Sequence, residues 1–456
     1  MMTCDQFTQT FFLLKRPTQG FSTMRIAGDR PYHLTYCTNI HPGEEWPQVF
    51  HNLQRYIPAL KQQLSPHEPF GIGLRLSDSA SRALLTDNAL SQFQDWLAET
   101  NTYVFTLNGF PYGGFHHQVV KDKVYAPDWS TGDRQTYTQR LITLLSALVP
   151  EGMDGGISTV PLSYKPWHID SKTKQKTTFE RSSHHLADLA AEMAHLEETT
   201  GKVLHLDLEP EPDALLENSD EVIAFFQEWL LPVGSAHLQK HHGVHSSTAE
   251  QWLRRHLRVC YDTCHFAVEY EDPSEALAKF NCAGITIGKF QLSSAIRIPI
   301  PSELPERKIL AQKLEPFAES TYLHQVIERR SPHTLHHYPD LSDALPSLLT
   351  TQADEWRTHF HVPIFIDKYP PFSSTQDHIT DILRQLPSVP DCTHLEIETY
   401  TWDVLPSDMK LDILASIQRE YEWVLSNFSN NRSSANRSSA NRSSAHQPVS
   451  VGFAEQ

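Results

Sequence analysis

Eight short β-like runs, separated by longer amphipathic stretches, narrow the choice of fold more than any other feature of the chain. The runs are His33–Ile40, Gly71–Leu76, Thr102–Leu107, Gly156–Leu162, Val203–Leu208, Arg258–Asp262, Gly284–Leu292 and His394–Thr399. Between them, Trp46–Leu64, Leu90–Glu99, Thr136–Leu148, His184–Thr199, Ser219–Leu231 and Thr375–Gln385 carry apolar residues at helical spacing. Strict alternation of this kind gives a parallel sheet covered by helices. A doubly wound sheet would alternate in the same way. The count of eight, and the absence of a Gly-x-Gly-x-x-Gly after the first run, select a single (β/α)8 TIM barrel instead. The gap before the eighth run is far longer than the others. An insertion is therefore expected at about 296–390, with the Pro-rich stretch Pro299–Pro305 and an extra strand at His361–Ile366.

A length of 456 residues suits one barrel with insertions. A hydrophobic share of 39% against 20% charged supplies an ordinary core and excludes wholesale disorder. No long uninterrupted apolar run occurs, so membrane insertion is not expected. The net charge of -17, from 38 Lys plus Arg against 55 Asp plus Glu, repels phosphate backbones and argues against a nucleic-acid partner. Cys4, Cys37, Cys260, Cys264, Cys282 and Cys392 form no dense framework, which fits a reducing cytoplasm. Residues 1–23 read as an N-terminal extension without signal-peptide character, and Met24 is an alternative start. The tail, 428–456, repeats Asn-Arg-Ser-Ser-Ala three times from Asn431 and is expected to be disordered, because small polar residues bury no core.

In such a barrel, chemistry gathers at the C-terminal strand ends. Asn39 lies at the end of the first run, with His41 and Glu44 just after it; Asn108, Tyr112, His116 and His117 follow the third. Glu209 and Glu211 end the fifth, Asp262, Cys264 and His265 the sixth, and Glu396 and Glu398 lie on the eighth. Glu209, Asp262 and Glu398 would repel one another if crowded without a cation, and a divalent ion resolves that conflict. His265 adds a neutral donor, and a bound ion brings proton-transfer chemistry within reach. Each residue also has a plainer reading. A carboxylate at a strand end commonly caps a helix, a role that suits Glu211 and Asp213. His41, His116, His117 and His361 suit ordinary polar positions in a chain with 26 histidines, and Tyr112 suits rim packing.

Asp262-Thr263-Cys264-His265, with Glu209 one strand earlier and Glu398 on the last, resembles the xylose-isomerase-like TIM barrels, which include sugar-phosphate isomerases and epimerases and the endonuclease IV group. Longer strings resemble the EboE-type metabolite traffic proteins of bacterial gene clusters, known in a cyanobacterial context. They are His33–Glu44, Leu107–Gly113, Val124–Trp129, Ile157–Leu162 and Glu398–Pro406, and the likeness spans about 24–427. The superfamily pattern implies metal ligands at Glu209, Asp262, Gln291 and Glu398, where Gln291 departs from the usual histidine. It implies catalytic roles for Glu209, Glu398 and His265, the last as a substrate contact. It also implies a substrate-binding role for Arg297, alongside the strand-end candidates Asn39, His41, Asn108, Tyr112 and His116. An amide oxygen suits Mg²⁺ or Mn²⁺ better than zinc.

The resemblance further implies a small-molecule metabolite as substrate, other proteins of the same gene cluster as partners, and a role in preparing or exporting that metabolite. Three activities follow. The first is a metal-dependent isomerase or epimerase acting on a sugar-like or polyol-like molecule. The second is a non-catalytic carrier with a degenerate metal site. The third is a phosphodiesterase of endonuclease IV type, which the acidic charge and Gln291 disfavour.

Overall fold

The computed structural model describes residues 25–26, 32–331, 334–389, 391–405 and 412–443. The expected extension 1–23, Met24 and the end of the tail, 444–456, lie outside them. The strands in chain order are β1 (Arg25–Ile26), β2 (Tyr32–Tyr36), β3 (Phe70–Arg75), β4 (Thr102–Asn108), β5 (Gly155–Thr159), β6 (Leu204–Leu208), β7 (Leu257–Asp262) and β8 (Ile287–Leu292). They continue as β9 (Ile296–Pro299), β10 (Val326–Ser331), β11 (Thr334–Tyr338), β12 (Glu355–Thr358), β13 (Lys368–Tyr369), β14 (Phe372–Ser374) and β15 (His394–Ile397).

Eight of these run parallel in the order β2-β15-β8-β7-β6-β5-β4-β3, with β1 antiparallel on the edge of β2. The two ends meet through a parallel bridge between Cys37 and Gly73. The Thr35 hydroxyl stitches that seam, accepting from the Gly73 amide at 2.8 Å and donating to the Gly71 carbonyl at 3.0 Å. A closed TIM barrel results, and its strands coincide with the eight runs read from the sequence.

The outer helices bury one stripe against the strands. Trp46–Leu64 has the bounds read from the sequence and buries Val49, Leu53, Ile57 and Leu60. The helix read as His184–Thr199 instead runs Lys172–Thr200, because the Ser171 hydroxyl accepts from the Lys174 amide as an N-cap. Ser219–Leu231 divides into a helix, Ser219–Phe225, and a π-helical segment, Phe226–Gly234, which contains Pro232. Pro232 has no N–H for the regular ladder. The last helix, Ile413–Ser443, carries the backbone into the Asn-Arg-Ser-Ser-Ala repeat. No helix among the described residues is long and apolar enough to cross a membrane.

The insertion builds a second, antiparallel sheet in the order β11-β10-β12-β9-β14-β13. His361–Ile366, expected to be a strand, is not one. Barrel loops satisfy its polar groups instead: the Val362 amide donates to the Ser294 carbonyl, and the Thr401 hydroxyl donates to the His361 carbonyl. Pro363 offers no donor to a ladder.

Inside the barrel, a period of two selects polar residues in place of the branched apolar layers usual there. The series His205, Asp207, Glu209 follows β6, and His394, Glu396, Glu398 follows β15. Lys289 on β8 pairs with Glu396 at 2.6 Å, both side chains fully buried, and donates to the Ser158 hydroxyl at 3.0 Å. Burial opposes the Lys289 charge, but the Glu396 carboxylate raises its pKa overall. Gly73 is required beside this pair, since a Cβ there would fall 1.9 Å from Glu396 Oε1.

Candidate metal centre

Glu209, Asp262, Gln291 and Glu398 project from the C-terminal ends of β6, β7, β8 and β15, all buried. Gln291 lies between the two glutamates. Its NH₂ donates to Glu209 Oε1 at 3.2 Å and to Glu398 Oε2 at 2.7 Å. Gln291 therefore stands where the superfamily pattern puts a ligand, but it presents a donor to its neighbours. Two further amides hold the other oxygen of Glu398: Asn39 at 2.8 Å and Asn108 at 2.9 Å. These asparagines enter the site as positioning groups for Glu398.

Asp262 both caps and points. Its Oδ1 accepts from the amides of Cys264 and His265, which starts the short helix Thr263–Val268, and from the Ser293 hydroxyl. Its Oδ2 is buried without a hydrogen-bond partner, as are Glu209 Oε2 and Gln291 Oε1. Burial, then the nearby carboxylates, raises the pKa of Glu209 and of Glu398. Burial would also raise Asp262, but the His265 and His361 imidazoles and its hydrogen bonds bring it below the usual carboxylate range.

Three imidazoles face this acidic cluster, and their tautomers follow from their partners. His265 Nδ1 lies 2.9 Å from the Pro210 carbonyl, and His361 Nδ1 lies 2.8 Å from the Glu398 carbonyl. A carbonyl only accepts, so both Nδ1 atoms carry the proton and both Nε2 atoms carry lone pairs. His359 Nδ1 sits 2.9 Å from Gln325 Oε1, whose NH₂ donates to the Pro212 carbonyl, so the same assignment holds. His265 Nε2 and His359 Nε2 then present lone pairs to each other at 3.1 Å, and His361 Nε2 is buried without a partner. Burial keeps all three neutral: His361 falls to about 4, and His265 and His359 also drop.

Neutral, Nδ1-anchored imidazoles are the state in which histidine binds metal. The ligand atoms of Asp262, His265 and His361 lie within 4.8 Å of one another, as do those of Glu211, His265 and His359. The residues present thus fit a divalent cation. Orphaned lone pairs converge from the end of β7 and from the insertion.

His359, and His361 as a member of the site, escape the sequence reading. The signal available in the sequence is the closely spaced pair His359-Phe360-His361 inside the expected insertion. Glu211, read as a cap, is buried in the cluster with its pKa raised by burial and by Glu209, and its Oε1 is 3.6 Å from His359 Nδ1.

Other expected contacts lie elsewhere. The chain leaves the barrel after Ser293, so Arg297 falls on β9 in the second sheet and binds Asp377 at 2.7 and 2.9 Å. His41 turns away, 2.9 Å from the Tyr36 hydroxyl and stacked on Tyr56 at 4.2 Å. Tyr112 packs edge-on against Tyr137 at 5.0 Å. His116 lines a separate surface groove with Pro42, Gln48 and His51. The pocket over the centre is lined by Asn39, Asn108, Glu209, Glu211, His265, His359 and Glu398, with walls of Phe110, Phe115, Tyr322 and Tyr400.

No family model and no curated protein matches the chain. Among solved structures, it is similar to a xylose isomerase-like TIM barrel protein from Mycobacterium smegmatis in complex with magnesium, at 12% identity and TM-score 0.47, covering 88% of this chain and 97% of that one. It is similar to an IolI protein with a bound zinc atom, at 12% identity and TM-score 0.45, covering 88% and 99%. It is also similar to a D-psicose 3-epimerase in the presence of D-fructose, at 14% identity and TM-score 0.35, covering 64% and 83%.

Proposed function

We propose that the chain is a metal-dependent enzyme that moves a proton at the carbon beside a carbonyl of a small, sugar-like or polyol-like metabolite, as isomerases and epimerases do. The observation that carries this reading is the pocket that gathers Glu209, Glu398 and His265, with Asp262, whose Oδ2 is unpartnered, and His361 clustered at ligand distance against that same His265. Asp262, His265 and His361 would hold a divalent ion, which supplies positive charge for polarising a carbonyl. Two imidazoles and a carboxylate favour a borderline ion such as Mn²⁺, Co²⁺ or Zn²⁺ over Ca²⁺.

Glu209, with one oxygen unpartnered, takes the proton; Glu398, fixed by three amides, serves as the paired acid. The aromatic walls exclude water and offer faces to the C–H side of a ring or polyol chain. A place in metabolite preparation or export, with partners from the same gene cluster, is proposed on the sequence resemblance alone.

The test is solvent deuterium exchange into a panel of ketoses, aldoses and inosose-type polyols by metal-loaded protein. Exchange at the carbon beside the carbonyl, abolished by chelation and by Glu209→Gln, is the expected result. Tight binding of a panel member with no exchange would replace the enzyme with a carrier. That second reading is favoured by Gln291, whose NH₂ already bridges the two glutamates. A polyanionic backbone is disfavoured by the acidic, aromatic-walled pocket.

A further inference from the structure

The floor of the barrel, at the opposite end from the centre described above, holds a second cluster of metal-ligating side chains. Asp154 stands immediately before β5, His205 lies on β6 and His394 opens β15, and their ligand atoms lie within 4.8 Å of one another. His394 Nε2 is 3.3 Å from Asp154 Oδ1, and His205 Nε2 is 3.5 Å from Asp154 Oδ2. Donor atoms on a tetrahedral ion with bonds of about 2.0–2.1 Å lie ~3.3 Å apart, so both separations match edges of such a site.

Three further observations point to a ligand. Both ring nitrogens of His394 and the Nε2 of His205 are fully buried and make no geometrically formed hydrogen bond, the two Nε2 atoms facing Asp154 at the ion-pair distances just given. Asp207 Oδ1 takes a hydrogen bond from His205 Nδ1 at 2.7 Å, the carboxylate–imidazole arrangement that turns the opposite nitrogen toward a metal. Two strands are bare to make room: a Cβ on Gly156 would fall 2.6 Å from His205 Cε1, and one on Gly288 would fall 2.0 Å from Asp207 Oδ1. The Asp154 side chain keeps 28% of its surface exposed, which gives an ion a route from solvent. Arg258 Nη1 approaches Asp154 Oδ2 at 3.5 Å and leaves Oδ1 toward His394.

We propose that Asp154, His205 and His394 form a second divalent-cation site, for a borderline transition-metal ion such as Zn²⁺, with Asp207 orienting His205. The ion would tie β5, β6 and β15 together across the barrel floor, with a solvent-side position open for water.

The test is titration of the metal-stripped full-length protein with Co²⁺, read by its visible absorption and by bound metal after desalting. Wild type is expected to bind two equivalents, and Asp154→Asn and His394→Gln one each. The mouth variant Asp262→Asn should also bind one, which disappears in Asp154→Asn/Asp262→Asn. Asp154→Asn alters a part-exposed side chain, so it keeps the test valid if His394→Gln does not fold. One wild-type equivalent, lost in Asp154→Asn but kept in Asp262→Asn, would support the floor site while removing the mouth metal. Unchanged stoichiometry in Asp154→Asn, or no binding by Asp262→Asn, overturns the proposal.

Discussion

Asp262 shares two duties between its oxygens, one fixing the helix Thr263–Val268 and the other aimed at the imidazoles of His265 and His361. Asparagine caps helices about as well as aspartate, so Asp262→Asn should shift stability by less than about 1 kcal/mol in chemical denaturation. The same variant should lose cation binding at the mouth, seen by calorimetry. Equal loss of both would make Asp262 a structural group only. Glu209 and Glu398 give a second residue-scale test. Burial and crowding raise their pKa values without a cation, so a share of the pair is protonated near neutrality. Cation binding should then release protons and tighten as pH rises, measurable by calorimetry in buffers of different ionisation enthalpy. A third concerns Lys289. Lys289→Met leaves Glu396 buried without its cation and should cost about 3–5 kcal/mol. Lys289→Met/Glu396→Leu should recover much of that loss, in urea midpoints of the three proteins. At this scale the sequence discloses Glu209, Asp262 and Glu398, because strand ends can be read from apolar runs. Side-chain direction cannot be read that way, which is why Arg297 and Tyr112 fall elsewhere and Gln291 turns its NH₂ inward.

The barrel strands and most helices are legible because each strand carries apolar residues in a run or at every second position and each helix carries a 3.6-residue stripe. The place of the insertion is legible from the long gap before the eighth run, but its sheet is not, because β9, β13 and β14 are only two to four residues long and draw their stability from neighbouring strands. Its functional contribution is hidden for the same reason. His359 and His361 gain meaning only when the segment after β12 is laid across the strand ends by contacts such as Val362 to Ser294. His361→Gln should weaken cation binding at the mouth about 10–100-fold while leaving far-UV circular dichroism unchanged, and His359→Gln should do so to a smaller degree. Binding unchanged in both would return the insertion to a scaffolding role.

Over the whole molecule, burial of neutral imidazoles sets a pH dependence. His361 and His256 fall to about 4, and His41 and His378 to about 3, below the usual value near 6.5. At these four rings the unfolded chain therefore binds more protons in that interval. The stabilisation is complete above about 6.5 and is lost as pH falls toward 4. Glu209 and Glu420, both raised to about 8 by burial, act in the opposite sense. The imidazole share is therefore read as the urea-midpoint advantage of metal-free wild type over His378→Gln, which should shrink between pH 7 and pH 5. An advantage that stays constant would contradict the burial of that ring. The closed barrel, its interior lined largely by polar side chains with Phe105 set among them, places an acid–imidazole centre under an aromatic-walled mouth. The most direct test of that centre is anomalous diffraction from crystals grown with Mn²⁺ or Zn²⁺. A peak within bonding distance of Asp262 Oδ2, His265 Nε2 and His361 Nε2 is the result expected. A mouth with no peak, with Gln291 still bridging Glu209 and Glu398, would contradict it.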